Sequence, residues 1–483
     1  MPSFNGHTSE NDAARRHPGS FFGTESSMRL TSNVSRFSVG SFQPEEDASE
    51  QPLPSWFSAS SYTHQVAADI LQYGPIARTT LAQLLGLSQG ALSRITSDLL
   101  HYGVIEELDP EDPDASIQKP LPLGFIPKES GGERRGRPQT ALRIRKNERT
   151  FIGINVRGNS ALATALNVAC EELGEVHIVD FEDQSPRQLC KTLTTLVNEC
   201  LEDIRNAGLS KPVAVGISIG GHTINDSTVT FAPFLHWDGS VNLASMMSEE
   251  CGIPTGIFND LDSLLHYECW FEAGVGIPRF AVVTMGAGLG YSLAQNGQPI
   301  DYGDKSYGLI AHTLVDPEGP RCYQGHKGCA ECLTNDSIAE QYSQNLGRTT
   351  SFDDFAHDAR HGVPQATQLL NRTCFRLGVF IATVANIAMP QKILVAGESS
   401  FIVRMNTESI RKGIESYRHS QAAPVSLEIL DDTWDRWASA AASRVISRYI
   451  LGGFDAVAVC QRPPRELFSI VEGTGGGGFC VCG

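Results

Sequence analysis

Residues 74–105 read GPIARTTLAQLLGLSQGALSRITSDLLHYGVI, from Gly74 to Ile105. Leu81, Leu84 and Leu85 fall at helical spacing and the run stops at Gly86, a residue suited to helix ends. Ser88 is a good N-cap, because its hydroxyl can accept from a free backbone N–H. It opens a further helix with Leu92, Ile95, Leu99 and Leu100 inward, ending near Gly103. Upstream, a helical pattern starts at Tyr62, with Val66, Ile70 and Leu71 on one face, and stops at Gly74-Pro75. Three short helices with a tight turn between the second and third make a helix-turn-helix. Downstream, Val104 to Leu108 and Ala141 to Ile144 read as the two strands of a wing. The long Pro-, Asp- and Gly-rich loop 109–133 lies between them.

In such a module the first residues of the last helix enter the major groove. Here they are Ser88, Gln89, Gly90, Ala91, Ser93 and Arg94, of which Gln89 and Arg94 can bond base edges or phosphates. Thr79 and Thr80 open the preceding helix and could reach the DNA backbone. Arg134, Arg135 and Arg137 at the wing tip suit a narrow minor groove or phosphates. A helical trio that docks a protein, with the arginine tip as a solvated loop, is the competing reading. The net charge of −17 argues against nucleic acid when taken alone. DNA binding needs only a local basic patch. Arg134, Arg135, Arg137, Arg143, Arg145, Lys146 and Arg149 supply one against the single acid Glu148. The acidic run Asp109 to Asp114 is odd beside DNA.

With 483 residues, about two to four domains are expected. Hydrophobic content of 41% and charged content of 19% are those of an ordinary globular protein. No apolar run is long enough to cross a membrane, and no apolar stretch follows Arg15-Arg16 to make a secretory signal. The twelve cysteines are scattered apart from Cys322, Cys329 and Cys332 and the terminal pair Cys480 and Cys482, which fits a reducing cytoplasm. Residues 1–60 lack a sustained period and read as a disordered tail, as does the Gly-rich end 456–483. From Phe151 the pattern alternates. Strands are expected at Phe151–Val156, Ala161–Asn167, Val213–Ile219, Phe280–Met285 and Lys392–Ala396, with one ending near Ile257. Helices are expected at Pro186–Ala207, Leu261–Phe271 and Leu369–Ile387. This is α/β architecture.

Several motifs in the same order resemble the ROK family of bacterial repressors and sugar kinases. The segment from Gly74 is similar to GPLSRAELARRTGLS…TVSRLVAELLEAGLL of its repressor members, and Gly136-Arg137-Pro138 matches the wing GRP. Val215-Gly216-Ile217-Ser218 resembles GIGVPG. Ala232-Pro233 and Trp237-Asp238 resemble APNL–W. Asn259-Asp260 matches NDAN. Gly308-Leu309-Ile310-Ala311-His312 and Gly319 to Glu331 resemble GEIGH–GxxCxCGxxGCxE. The resemblance covers roughly Tyr62 to Arg448. It implies a winged helix-turn-helix over 61–149, then a two-lobed actin-like, ribonuclease H-like sugar-kinase domain over 150–455.

The departures bear on activity. Where the kinases resemble DxGGT, this chain has Asn155-Val156-Arg157-Gly158-Asn159, without the carboxylate and with Arg in a glycine's place. Their GTGIGGG reads Gly286-Ala287-Gly288-Leu289-Gly290-Tyr291-Ser292, where Tyr291 is expected to intrude. Their late GG reads Gly397-Glu398, which adds negative charge. Phosphoryl transfer rests on positioning and charge neutralisation, so no ATP use is expected. Asp260 is left as the relic catalytic base. The resemblance implies sugar contacts from Asn259, Asp260, His312 and Glu331, although Asn259-Asp260 also suit a helix cap. Leu309 replaces the Glu of GEIGH, which points to a deoxy, acylated or otherwise modified sugar, or to none. The family's zinc site maps onto His312, Cys322 and Cys329. Its fourth position is Gln324, a poor ligand, and His326 and Cys332 are the nearby donors that could substitute. Three reduced cysteines without metal are the alternative.

The expectation is therefore a cytoplasmic, homodimeric transcriptional regulator, a repressor of carbohydrate metabolism. It would bind double-stranded operator DNA and a small sugar effector, with one structural zinc. An active sugar kinase carrying a DNA-binding module, or a ligand-independent DNA binder, are the rivals.

Overall fold

Small residues decide how the α/β part closes. Gly153 and Gly216 lie side by side on paired strands, and a Cβ on either would stand 2.0 and 2.2 Å from the carbonyl oxygens of Ala438 and Ala441. A helix rich in Ala and Ser thus lies directly on the sheet, as only glycine permits at such close approach. The computed structural model of the chain describes residues 58–109, 111–116, 119–127, 140–300, 308–430 and 434–453. The expected tails and the wing tip Arg134, Arg135, Arg137 fall outside these residues, apart from the last few positions before 61.

The N-terminal part consists of α1 (Ser61–Tyr73), β1 (Ile76–Ala77), α2 (Arg78–Leu85), α3 (Gln89–His101), β2 (Ile105–Leu108) and β3 (Ala141–Ile144). Ser60 and Ser88 cap α1 and α3 through Thr63 N and Ala91 N, and Gly86 ends α2 in the left-handed region (φ +67°). The three strands form an antiparallel sheet in the order β1-β3-β2. Leu92, Thr96 and Leu99 are the buried face of α3, with Ile95 and Leu100 half-buried. Arg78 on α2 bonds Thr96, Thr140 and Glu107, clasping helix to sheet.

Two sheets of like layout follow. The first uses β4 (Thr150–Val156), β5 (Ser160–Asn167), β6 (His177–Asp180), β7 (Ala214–Ile219) and, beyond the short pair β8 (His222–Ile224) and β9 (Thr228–Phe231), β10 (Thr255–Asn259). Its order is β10-β7-β4-β5-β6, an antiparallel meander extended by parallel strands. The second uses β11 (Arg279–Met285), β12 (Leu289–Gln295), β13 (Gln298–Pro299), β14 (Lys392–Ala396) and β15 (Leu427–Ile429) in the order β13-β12-β11-β14-β15, again a meander extended by parallel strands. Helices α4 (Pro186–Asn206), α5 (Leu243–Cys251) and α6 (Asp260–Phe271) accompany the first sheet. Then come α7 (Asn335–Leu346), α8 (Phe352–Arg360), α9 (Pro364–Ile387), α10 (Phe401–Met405), α11 (Thr407–Ser416) and α12 (Trp434–Ile450), the last being the helix laid on Gly153 and Gly216. This repeated layout is the mixed α/β architecture expected of a two-lobed sugar-kinase-like fold.

The basic stretch expected beside the wing is changed by its partners. Arg143 pairs with Glu106 at 2.8 Å and Asp114 at 2.6 Å, Lys146 with Glu171 at 2.7 Å, and Arg145 and Arg149 with Glu148. Acids distant in sequence thus pair with Arg143 and Lys146, Asp114 of the acidic run among them, while Arg145 and Arg149 share the local Glu148.

Candidate functional site

The N-terminus of α6 carries Asn259 and Asp260. Asn259 is the cap: its Oδ1 accepts from Asp262 N–H at 3.0 Å, while its Nδ2 donates to Gly221 O at 2.8 Å. Asp260 Oδ1 accepts from Leu261 N–H at 2.7 Å. Burial pushes the Asp260 carboxyl above its ordinary value, and Asp262 adds to this. The Leu261 N–H and the Arg157 guanidinium pull the other way. Asp260 Oδ2 faces Gly220, and Gly221 (φ +147°) has no room for a side chain, since a Cβ there would stand 2.1 Å from Phe231 O.

The two glycine-rich loops show where the departures lead. Asn155 is buried, and its Nδ2 donates 3.0 Å to Ser218 Oγ, its register partner on β7. Arg157 Nε lies 3.4 Å from Asn155 Oδ1. The turn Gly286–Gly288 between β11 and β12 receives the side chain of Glu398. Its Oε1 accepts from Ala287 N–H and from Asn335 Nδ2, each at 2.8 Å. A Cβ on Gly286 would collide with the same carboxylate. Tyr291, expected to intrude here, packs against the core of the second sheet instead. The anion in the turn is the chain's own.

His312 sits on a 3₁₀ turn (Leu309–His312) and Glu331 on another (Ala330–Leu333). His312 Nδ1 lies 3.7 Å from Cys322 Sγ and 3.9 Å from Cys329 Sγ. With His326, whose ring centre is 4.8 Å from that of His312, these residues place one donor atom each within 4.8 Å of one another. Two nitrogens and two sulfurs at such spacing suit a tetrahedral ion, whose S and N ligands stand about 3.5 Å apart. The cluster could hold a metal. Cys332, a candidate ligand by sequence, is not in it: its thiol is buried in the core of the second sheet, where burial pushes it up to about 12. Gln324 is exposed at the tip of the loop. His326 joins because residues 322–326 form a hairpin. Arg321 bridges Lys327, Cys322 N–H donates to His326 O at 3.0 Å, and Gly325 N–H (φ +85°) donates to Cys322 O at 2.8 Å.

Sequence reasoning missed the anchor of this loop. Arg376 on α9 is only 2% exposed. It grips Asp316 Oδ2 at 2.9 and 2.7 Å and Gln341 Oε1 at 2.7 Å, while Gln341 holds Cys332 O at 3.0 Å. Burial raises the Asp316 carboxyl, but Arg376 and the Glu318 N–H outweigh it and hold it below its usual value. Glu331 is pushed up by burial and pulled down by His312. Both α6 and the 3₁₀ turns pack on β12, which is where the two groups of site residues meet the same strand.

In the N-terminal part, Ser88, Gln89, Gly90, Ala91, Ser93 and Arg94 are all exposed along one stretch of α3, and Thr79 and Thr80 are half-buried in α2.

The family model of ROK matches residues 151–436. The chain belongs to the ROK family. Among ROK relatives, the DNA-binding transcriptional dual regulator NagC of Escherichia coli strain K12 is 24% identical over 398 residues, covering 79% of this chain and 91% of NagC. The DNA-binding transcriptional repressor Mlc of the same strain is 24% identical over 68% of this chain and 79% of Mlc. The xylose repressor of Bacillus subtilis strain 168 is 21% identical over 73% and 86%. Among solved structures, a ROK family transcriptional regulator, a homolog of Escherichia coli Mlc, aligns with a TM-score of 0.63 at 20% identity, covering 81% of this chain and 97% of its own. The ROK hexokinase of Thermus thermophilus aligns with a TM-score of 0.51 at 17% identity, covering 61% and 97%.

Proposed function

We propose that this chain is a sequence-specific DNA-binding repressor of carbohydrate metabolism, whose sugar-kinase-like domain senses a sugar and transfers no phosphate. One observation carries the reading. The hexokinase is exhausted by 61% of this chain, whereas the regulator structure and NagC extend over 81% and 79% of it. What this chain shares with regulators beyond the kinase fold has room for a DNA-reading module.

On this reading residues 61–149 form a winged helix-turn-helix, and 150–455 form the sensor. Ser88, Gln89, Gly90, Ala91, Ser93 and Arg94 face the major groove, Thr79 and Thr80 the backbone, and Arg134, Arg135 and Arg137 the flanking groove. Two copies read a two-fold-symmetric operator. Asn259, Asp260, His312 and Glu331 hold sugar hydroxyls. His312, Cys322, His326 and Cys329 would hold a structural zinc, which ties the loop bearing His312 and Glu331. Asn155 and Arg157 in the first phosphate loop, with Glu398 in the second, oppose nucleotide binding.

Operator selection with the purified protein tests the reading. A two-fold-symmetric motif should emerge, and Arg94→Ala should weaken it by about 1–3 kcal/mol. Binding without any preferred sequence, together with turnover of ATP by a sugar, would replace this reading with that of a kinase.

A further inference from the structure

Phe234 stands in an unusual place for an aromatic ring. It follows Ala232-Pro233, where the APNL segment carries Asn. Its ring covers Gly220 of the first lobe, and its Cβ and carbonyl lie against Gly158. A Cβ built on Gly220 would lie 3.2 and 3.3 Å from Phe234 Cδ2 and Cε2, and 3.3 Å from Asp260 Oδ2. Ring and carboxylate therefore meet over the same backbone atom. On the other side, a Cβ on Gly158 would lie 3.7 Å from Phe234 Cβ. The ring is nevertheless 46% exposed.

Its backbone is held firmly. Gln184 Nε2 donates to Phe234 O at 3.3 Å and also to Gly158 O, and Gln184 O accepts from Trp237 Nε1 at 2.6 Å. Leu235 N–H and His236 N–H both donate to Ala232 O at 3.1 Å. A pinned, open aromatic ring beside a hydroxyl-binding carboxylate is a wall for a ligand that is polar at one edge and apolar at the next. Such a mixture of apolar lining with few placed polar groups is what small-molecule sites show. A pyranose has both kinds of edge. A hydroxyl turned toward the ring would lose its water and find no partner, whereas a hydrogen or a methyl group there loses nothing.

We propose that Phe234 is a specificity-determining residue of the sugar site, selecting a deoxy or acylated pyranose over its fully hydroxylated parent. The inference rests on the sugar-sensing reading above and adds the residue that sets selectivity and the feature it selects.

The test measures Kd by calorimetry on the full chain for matched sugars. Glucose is compared with 2-deoxyglucose, 6-deoxyglucose and N-acetylglucosamine, and galactose with 6-deoxygalactose and N-acetylgalactosamine. The wild type should favour the modified member of at least one pair by about tenfold or more, the discrimination that one apolar group commands. Phe234→Asn should reduce that ratio about tenfold without lowering affinity for the parent. Phe234→Trp should keep its sign. Melting curves of both variants should match the wild type, because the ring is half open to solvent. An unchanged ratio in Phe234→Asn overturns the inference, as does a wild type that binds both members equally. If a sugar binds and Asp260→Asn abolishes binding while Phe234→Asn changes nothing, only this inference falls. If no sugar of the panel binds the wild type, it falls together with the sugar-sensing reading.

Discussion

His326 reaches the cysteines because a glycine lets the chain turn back within five residues. Gly325 adopts φ +85°, a conformation costly for other residues, so Cys322 and His326 face each other across the hairpin. The sequence shows several donors near the spacing of the ROK motif but not their directions. Cys332 is only three residues past Cys329, yet the 3₁₀ turn at Ala330–Leu333 carries it into the core. Cys329 is as buried, so it is position that separates them: the Cys329 sulfur stands among the gathered donors and the Cys332 sulfur does not. Metal analysis separates the two. Wild type should carry one zinc per chain. His326→Ala and Cys322→Ser should each lose it and melt earlier. Cys332→Ala should keep its zinc while losing about 1 kcal/mol of packing. Zinc retained by His326→Ala but lost from Cys332→Ala would reverse the assignment. Gln324 was legible as a poor ligand from its side-chain chemistry, and it is exposed in the loop. Glu398 was legible as a negative charge near the phosphate loops. That its carboxylate fills the turn depends on Asn335, 63 residues away, which no local pattern connects to it.

Elements with strong local signals were readable, and those made by tertiary packing were not. β4, β7, β11 and β14 are continuous apolar runs, and α4 and α9 have long apolar faces, so all were expected close to their observed bounds. α9 begins at Pro364, five residues before the expected start, because Pro fits the first turn of a helix. α12 went unread: from Ala438 to Arg444 it has no large apolar residue to mark a face, and the close approach that buries it depends on the glycines beneath it. Glycine substitutions check this at opposite signs. Gly153→Ala puts a methyl 2.0 Å from Ala438 O and must push the helix outward, which should cost about 3 kcal/mol or prevent folding. Gly90 lies on exposed α3 with nothing within 4 Å of its Cβ position. Gly90→Ala should therefore stabilise the fold by up to about 1 kcal/mol through helix propensity. The same methyl points where DNA is proposed to lie, so operator affinity should fall while the melting temperature rises. Stability and binding that move together would place α3 away from the DNA.

At the scale of the molecule, the N-terminal part is not hung on a free linker. One apolar cluster runs from Val66, Ile70 and Leu71 of α1 through Leu92 and Leu99 of α3 to Tyr449 and Ile450 of α12. His64 sits against Gly452 just beyond α12, where a Cβ would meet its ring at 2.3 Å. The segment 119–127 ties the parts again. Lys119 Nζ donates to Leu71 O at 3.4 Å, and Leu123 N–H donates to Gly276 O at 2.8 Å. Gly276 follows the C-terminal end of α6, whose N-terminal end carries Asp260. On the proposed sugar-sensing reading, a displacement of α6 would have a route of packed and hydrogen-bonded atoms to α1. The coupling it must carry is modest, about 1–3 kcal/mol for a useful change in operator affinity. A shared core also makes unfolding cooperative, because neither part can open without exposing the apolar surface of the other. Calorimetry of the metal-loaded chain should then show one transition for residues 61–453, rather than an early melt of residues 61–144. Pro substituted at Leu123 removes the N–H that reaches Gly276 and should loosen this union. If Leu123→Pro separates a low-temperature transition from the rest and also abolishes the effector's influence on operator binding, the segment is the link between the parts. An early transition already present in the wild type would show that the shared cluster does not hold the parts together, and a ligand signal would have to pass by another route.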